Sequence, residues 1–175
     1  LGLVAQAEQR IPENGSSIDA IRARHAGIAA ITLDADTARE YLEAFDRDCR
    51  DIEGILHTVR LTRSAARNVI DLFAGYGEIW STRLFREFFA RRQGRPGEVR
   101  WVDAREAVVV EWGPLGPAVQ WEESRERLAR LVPSDFAGTL IITGFIAADR
   151  RGVQTTLVRN GSDFSASIFG ALLDA

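Results

Sequence analysis

Thr139-Leu140-Ile141-Ile142-Thr143-Gly144-Phe145-Ile146-Ala147-Ala148, then Asp149-Arg150-Arg151-Gly152, then Gln154-Thr155-Thr156-Leu157-Val158-Arg159-Asn160-Gly161-Ser162-Asp163, is the stretch that decides the fold. The β-branched run from Thr139 to Thr143 has the length of a buried strand, and Gly144 ends it. Phe145 to Ala148 and Gln154 to Val158 are expected to pair as a hairpin projecting from the sheet, around a charged turn with glycine late in it. The chain must then reverse at Asn160-Gly161 and enter a helix, because Phe164, Ile168, Ala171 and Leu172 recur at helical spacing. Ser162 is expected as the helix N-cap and Asp163 in its first turn.

Two readings of this turn are open. In one, Gly161 supplies a positive φ and Ser162 and Asp163 merely cap a helix. In the other, the Arg159 fork, the close approach allowed by Gly161 and a helix N-terminus converge on one spot, which suits a ligand carrying carboxylate or phosphate oxygens. Asp163 fits the second reading only if a cation or a lysine is also present.

Working back along the chain, Val99 to Val102 and Ala107 to Glu111 read as strands, Gly113 to Pro117 as a loop, and Glu122 to Leu131 as a helix stopped by Pro133. Glu78 is expected to open a helix that ends at Gly94 and Pro96, after a shorter one from Ser64 to about Ala74. Gly75 and Gly77 do not make a dinucleotide loop, since Trp80 occupies the third glycine position and no strand precedes them. Thr37 reads as the N-cap of a long helix, Glu40 completes its capping box, and Tyr41, Phe45, Cys49, Ile52, Leu56 and Val59 form its apolar stripe. Before it come a helix after Ser17, with Ile18, Ile21, His25 and Ile28 on one side, a loop from Ile11 to Ser17, and the end of a helix in Leu1 to Arg10. Strands alternating with helices argue for an α/β layered domain with a mostly parallel sheet.

The chain has 175 residues, enough for one core, and a formal net charge of -3, which gives no reason to propose nucleic acid as a partner. All 22 basic residues are arginine, and methionine is absent, so a processed or excised piece is expected. Cys49 reads as a buried structural thiol, and His25 and His57 are too isolated to form a metal site. The longest apolar runs fall short of the roughly 20 residues that a membrane span needs, so no membrane association is expected and a cytoplasmic location is the default.

Three ordered blocks carry a family resemblance: Gly77-Glu78-Ile79-Trp80-Ser81, Trp101-Val102-Asp103-Ala104-Arg105-Glu106, and Gly144-Phe145-Ile146 with Thr155 to Ala166. Together they resemble the aspartokinases of the amino acid kinase family, most nearly the kinase part of bifunctional aspartokinase/homoserine dehydrogenase proteins. The likeness is good from about Ala65 to Ala175 and loose before that. It implies a three-layer α/β/α sandwich with a mostly parallel sheet, residues 1–175 being a partial catalytic domain. It also implies transfer of the ATP γ-phosphoryl group to the side-chain carboxylate of L-aspartate with Mg²⁺ assisting, the first step toward lysine, threonine and methionine. Carried over by position, Arg159 would grip a substrate carboxylate, Glu78 the amino group, and Ser162 and Phe145 would line the aspartate site. Asp163 would be the catalytic carboxylate that organises lysines around the phosphates.

The chain departs from the family pattern at Val158, where many members have glycine, and in lacking the Lys/Gly-rich strand and the nucleotide-covering segment. Taken alone, the stretch is therefore expected to be inactive. From the residues alone, Glu78 reads first as a first-turn acid that merely complements a helix dipole, and it is the resemblance that makes it a substrate ligand. A homo-oligomer, and fusion to homoserine dehydrogenase and regulatory domains, are left open. So are two alternatives: a glutamate or acetylglutamate kinase, and a non-catalytic binding or regulatory module of the same fold.

Overall fold

The computed structural model describes residues 2–9, 18–93, 96–114, 116–157 and 161–175. Its helical part comprises α1 (Gly2–Gln9), α2 (Ile18–Thr32), α3 (Ala35–Thr62) and α4 (Arg67–Gln93). The stripe from Tyr41 to Val59 is buried along the whole of α3, with Phe45, Ile52 and Leu56 at 1–2% exposure. Burying each such side chain stabilises the fold by about 1.5–3 kcal/mol. α1 and α2 pack on α3, and Arg22 on α2 forks onto the Asp46 carboxylate of α3.

The cap of α3 lies earlier than the spacing suggests. Asp34 is the N-cap and accepts hydrogen bonds from the Thr37 N–H and hydroxyl, so Thr37 serves as donor. On α2, Ile18 and Ile21 pack against the core as expected, but Ile28 is exposed and Ala29 is buried in its place. His25 Nδ1 lies 2.6 Å from the Tyr41 hydroxyl, and its ring sits 4.7 Å from Phe45. Burial, with the Arg24 charge adding to it, holds the His25 pKa below its ordinary value. Cys49 is buried, and burial pushes its thiol up to about 11, which leaves it inert as expected.

The largest difference from the sequence reading is α4. One continuous helix runs through Gly75, Tyr76, Gly77 and Glu78, where a break was expected. Glycine lowers helix propensity by about 1 kcal/mol, but tertiary contact overrides propensity. A Cβ on Gly75 would collide with the Gln154 amide and lie 3.0 Å from Ile146 Cγ2, so the glycine lets the β-layer approach the helix.

After a short 3₁₀ turn (Pro96–Glu98) come β1 (Val99–Val102), α5 (Ala104–Ala107), β2 (Val110–Gly113), β3 (Gly116–Val119) and α6 (Trp121–Leu131). The last elements are β4 (Thr139–Ile142), β5 (Ile146–Ala148), β6 (Gln154–Thr156) and α7 (Gly161–Leu173). β1 and β4 pair in parallel from Val99↔Thr139 to Val102↔Ile142, and a parallel bridge joins Val109 to Ala148. This is an α/β fold with parallel pairing across helical connections, as expected. The strand expected over Ala107 to Glu111 is displaced, because Asp103 accepts from the Arg105 N–H and caps the one-turn α5. The loop expected over Gly113 to Pro117 is the end of a β2–β3 hairpin instead. β4 is half-buried rather than fully buried, although Thr143 just beyond it is buried completely.

The β5–β6 hairpin forms around the expected turn, with Ile146↔Thr156, Ala147↔Thr155 and Ala148↔Gln154 paired. It does not project from the sheet. All six strand residues are buried against α4 and α5, and only the turn, from Arg150 to Val153, is exposed. Asp149 ties that turn together by accepting from the Arg151 and Val153 N–H groups. On α7 the buried side is Ser165, Ile168, Phe169 and Leu172, while Phe164 and Ala171 face outward. Ser162 is the second residue of this helix rather than its cap.

Candidate active site

The carboxyl ends of parallel strands are where α/β folds gather ligand-binding groups, because the loops leaving them open above the sheet. Here β4 ends in Thr143-Gly144-Phe145. Thr143 fixes this end: its N–H donates to the Val102 carbonyl and its hydroxyl accepts the Ala104 N–H. The second block of the sequence thus holds the strand end in place. Asp103, buried beside it, receives the Arg105 guanidinium through both carboxylate oxygens. Burial opposes the charge on Arg105, but the bonds and charge of Asp103 outweigh it and hold its pKa above the ordinary value.

Two of the side chains expected at the site converge on Gly144. A methyl group placed there would lie 3.2 Å from the Ser162 hydroxyl oxygen and 3.4 Å from a Glu78 carboxylate oxygen. Glu78 and Ser162, 84 positions apart in sequence, therefore flank one small space. Phe145 adjoins it and packs against the core, its ring covering Gly161, where a Cβ would lie 2.6 Å from Phe145 Cδ2. The close approach at Gly161 is thus to Phe145. Asp163 is exposed in the first turn of α7. Arg159, with Val158 and Asn160, lies outside the described residues.

Glu78 sits in the middle of α4, so it is not a first-turn acid and the helix-dipole role falls away. It is half-buried, and α4 is fastened on both sides of it. Toward the N-terminus, the Gln154 amide donates to the Asp71 and Leu72 carbonyls, its oxygen accepts from Arg105, and the Thr156 hydroxyl lies 3.4 Å from the buried Asp71 carboxylate. Toward the C-terminus, the Thr82 hydroxyl donates to the Glu78 carbonyl and accepts the Trp101 indole N–H at 2.9 Å. Sequence reasoning missed this support. Its signal was the polar pair Gln154 and Thr156 in a hairpin strand, opposite a glycine in a helix.

Two clefts, of about 500 and 670 Å³, lie elsewhere and touch neither Glu78, Gly144 nor Ser162. Their arginines are largely engaged, Arg83 with Asp48, Arg86 with Glu87, Arg105 with Asp103 and Arg127 with Glu123. Among the described residues no three His, Cys, Asp or Glu side chains are grouped to hold a metal ion. No described helix is long and apolar enough to cross a membrane.

Residues 7–175 match the model of the amino acid kinase family. The chain belongs to the amino acid kinase family. This kinase chain is 34% identical over 176 residues to the chloroplastic bifunctional aspartokinase/homoserine dehydrogenase of Daucus carota, covering 99% of the chain and 19% of that protein. It is 30% identical to lysine-sensitive aspartokinase 3 of Escherichia coli over 99% of the chain and 37% of the relative. The structure of E. coli aspartokinase III in complex with aspartate and ADP matches with a TM-score of 0.78 at 28% identity, over 99% of the chain and 37% of that structure. The chain therefore spans about a fifth of its bifunctional relatives and over a third of the single aspartokinase. The resemblance to aspartokinases is borne out, and it reaches further toward the N-terminus than the three sequence blocks alone indicated.

Proposed function

We propose that this amino acid kinase chain forms the aspartate-binding part of an aspartokinase catalytic domain. One observation carries the reading: the Glu78 carboxylate and the Ser162 hydroxyl flank the same space at Gly144, beside Phe145. A half-buried carboxylate is suited to an ammonium, which it neutralises through charge-assisted hydrogen bonds. The acetylated amine of acetylglutamate has no such charge and would leave the carboxylate unpaired, which favours a free amino acid. Arg159 is assigned the substrate carboxylate, since a guanidinium matches two oxygens at once. The names of the relatives support aspartate as the acceptor and fusion to homoserine dehydrogenase in the intact protein.

In the reaction, a side-chain carboxylate oxygen attacks the γ-phosphorus of ATP and the bond to ADP breaks. The protein's work in such a transfer is mainly to position two anions and balance their charge. The residues here do that for the acceptor: Glu78 and Ser162 orient the amino-acid end, and Phe145 walls the space. Asp163 is assigned to the phosphate side, but the chain has no lysine for it to organise. The steps assigned to this chain therefore concern the amino acid alone.

The test is Glu78→Gln in the intact protein, which keeps shape and removes the counter-charge. Loss of a charge-assisted bond is worth about 1.5–3 kcal/mol, so the KM for aspartate should rise roughly ten- to a hundredfold. The KM for ATP and the melting temperature should stay nearly constant. An unchanged aspartate KM, or a preference for acetylglutamate, would overturn the assignment.

A further inference from the structure

Phe145 has a φ of 66°, in the left-handed region that a bulky residue rarely occupies. Across it the Ile146 N–H donates to the Gly144 carbonyl at 2.7 Å. A hydrogen bond from residue i+2 back to residue i, with a positive φ between them, is the rare and strained form of the γ-turn. Such a conformation persists only where its surroundings hold it, and held strain of this kind clusters at functional sites.

Ser165 is central to what holds it. Ser165 is 3% exposed, and its hydroxyl accepts the Phe145 N–H at 2.9 Å and donates to the Gly161 carbonyl at 2.8 Å. A helical serine often bonds back to the carbonyl four residues earlier. What that habit does not explain is the second bond, which reaches a strained residue 20 positions away in sequence. The Leu157 N–H anchors the Phe145 carbonyl at 2.8 Å from the other side. One hydroxyl thus joins the first turn of α7, which carries Ser162, to the turn that carries Gly144.

We infer that Ser165 is a positioning residue for the amino-acid site: by pinning the Gly144–Ile146 γ-turn to α7, it sets the spacing between Glu78, Gly144 and Ser162. This rests on the aspartate-binding role proposed above. Ser165 touches no substrate in this scheme and acts through Phe145 and Gly161. Without its oxygen, the Phe145 N–H has no partner in the buried region and the turn can relax toward a negative φ, moving Gly144 and the Phe145 ring.

The experiment compares Ser165→Ala, Ser165→Thr and Glu78→Gln in the intact protein, with KM for aspartate and for ATP measured separately. Ser165→Ala should raise the aspartate KM tenfold or more and leave the ATP KM within twofold, and Ser165→Thr, which keeps the hydroxyl, should restore most of the loss. If Ser165→Ala does not fold, Ser165→Cys keeps the volume with a much weaker acceptor and should show the same split. A parallel loss of both KM values with a fall in melting temperature would make Ser165 merely structural and overturn the inference. No change at Ser165 while Glu78→Gln raises the aspartate KM would overturn it and leave the site intact. No change in Glu78→Gln would remove the site and the inference together.

Discussion

Gly144→Ala separates a substrate site from a packing contact, because its effects on stability and on binding should diverge. The added methyl would sit 3.2 Å from Ser162 Oγ, 3.4 Å from Ser162 Cβ and 3.4 Å from Glu78 Oε2. These are tight contacts but not collisions, and they fall on side-chain atoms that can move by a few tenths of an ångström. Gly144 is not among the residues with positive φ, so alanine meets no backbone penalty there. The stability cost should stay below about 1 kcal/mol, under the usual range for forced overpacking. The space between the two oxygens, however, is filled. An ammonium that needs to approach the carboxylate to about 2.8 Å is displaced, and one charge-assisted bond of about 1.5–3 kcal/mol is weakened or lost. With each 1.4 kcal/mol worth about tenfold, the aspartate KM should rise ten- to a hundredfold. The assay is an aspartate titration at saturating ATP, beside a thermal melt. An unchanged KM with a normal melt would mean that no substrate group enters between Glu78 and Ser162.

Two further predictions concern the scaffold. Gly75→Ala should destabilise by about 1–3 kcal/mol, since the Cβ displaces the Gln154 amide from its buried bonds and presses on Ile146. Gly77→Ala, with nothing within 4 Å of its Cβ, should stabilise by up to about 1 kcal/mol from helix propensity. Chemical denaturation would measure both, and destabilisation by both would mean that α4 breaks at Tyr76. His25 gives a pH dependence. Its folded pKa lies below the 6.5 of the free side chain, so the unfolded chain binds a proton first as pH falls. The stability due to neutral His25 is full above about pH 6.5 and is lost progressively as pH falls toward the lowered folded value. Denaturation midpoints at stepped pH should show this slope, and His25→Gln should flatten it.

Where the pattern was periodic and local, the sequence was legible. The α3 stripe, the β5–β6 hairpin with its turn, and the α6 helix all have boundaries set by neighbours in sequence. Glycine was where the reading failed. Gly75 and Gly77 look like a turn because propensity counts only local cost, whereas α4 continues through them because Gln154, 79 residues beyond Gly75, occupies the missing Cβ volume. The same continuity moves Glu78 from a helix end to a helix middle, which removes the first-turn reading. Asp34 was passed over as a cap because Thr37, with Glu40 after it, gave the stronger motif. Of the proposed site, Glu78, Ser162 and Phe145 were named through family resemblance, and the structure brings all three to Gly144. Ser165 was not, since a small polar residue on a helix looks like surface until its burial and its partner are known.

The proposed site is best understood as two well-held elements meeting at one turn. α4 is fastened by Asp71 and Gln154 below Glu78 and by Thr82 and Trp101 above it, so the carboxylate cannot slide along the helix axis without breaking these hydrogen bonds. α7 carries Ser162 and is tied through Ser165 and Gly161 to the loop after β4. Between the two elements lies Gly144, whose position is fixed from the sheet side by Thr143 and from the α7 side by the strained turn at Phe145. Preorganisation of this kind lowers the entropy lost when a small ligand is oriented, and orientation is most of what phosphoryl transfer asks of the acceptor side. It follows that substitutions in the clamps should act on the amino acid before they act on the nucleotide. They would do so by changing the distance between two well-held groups, without removing either group from the site.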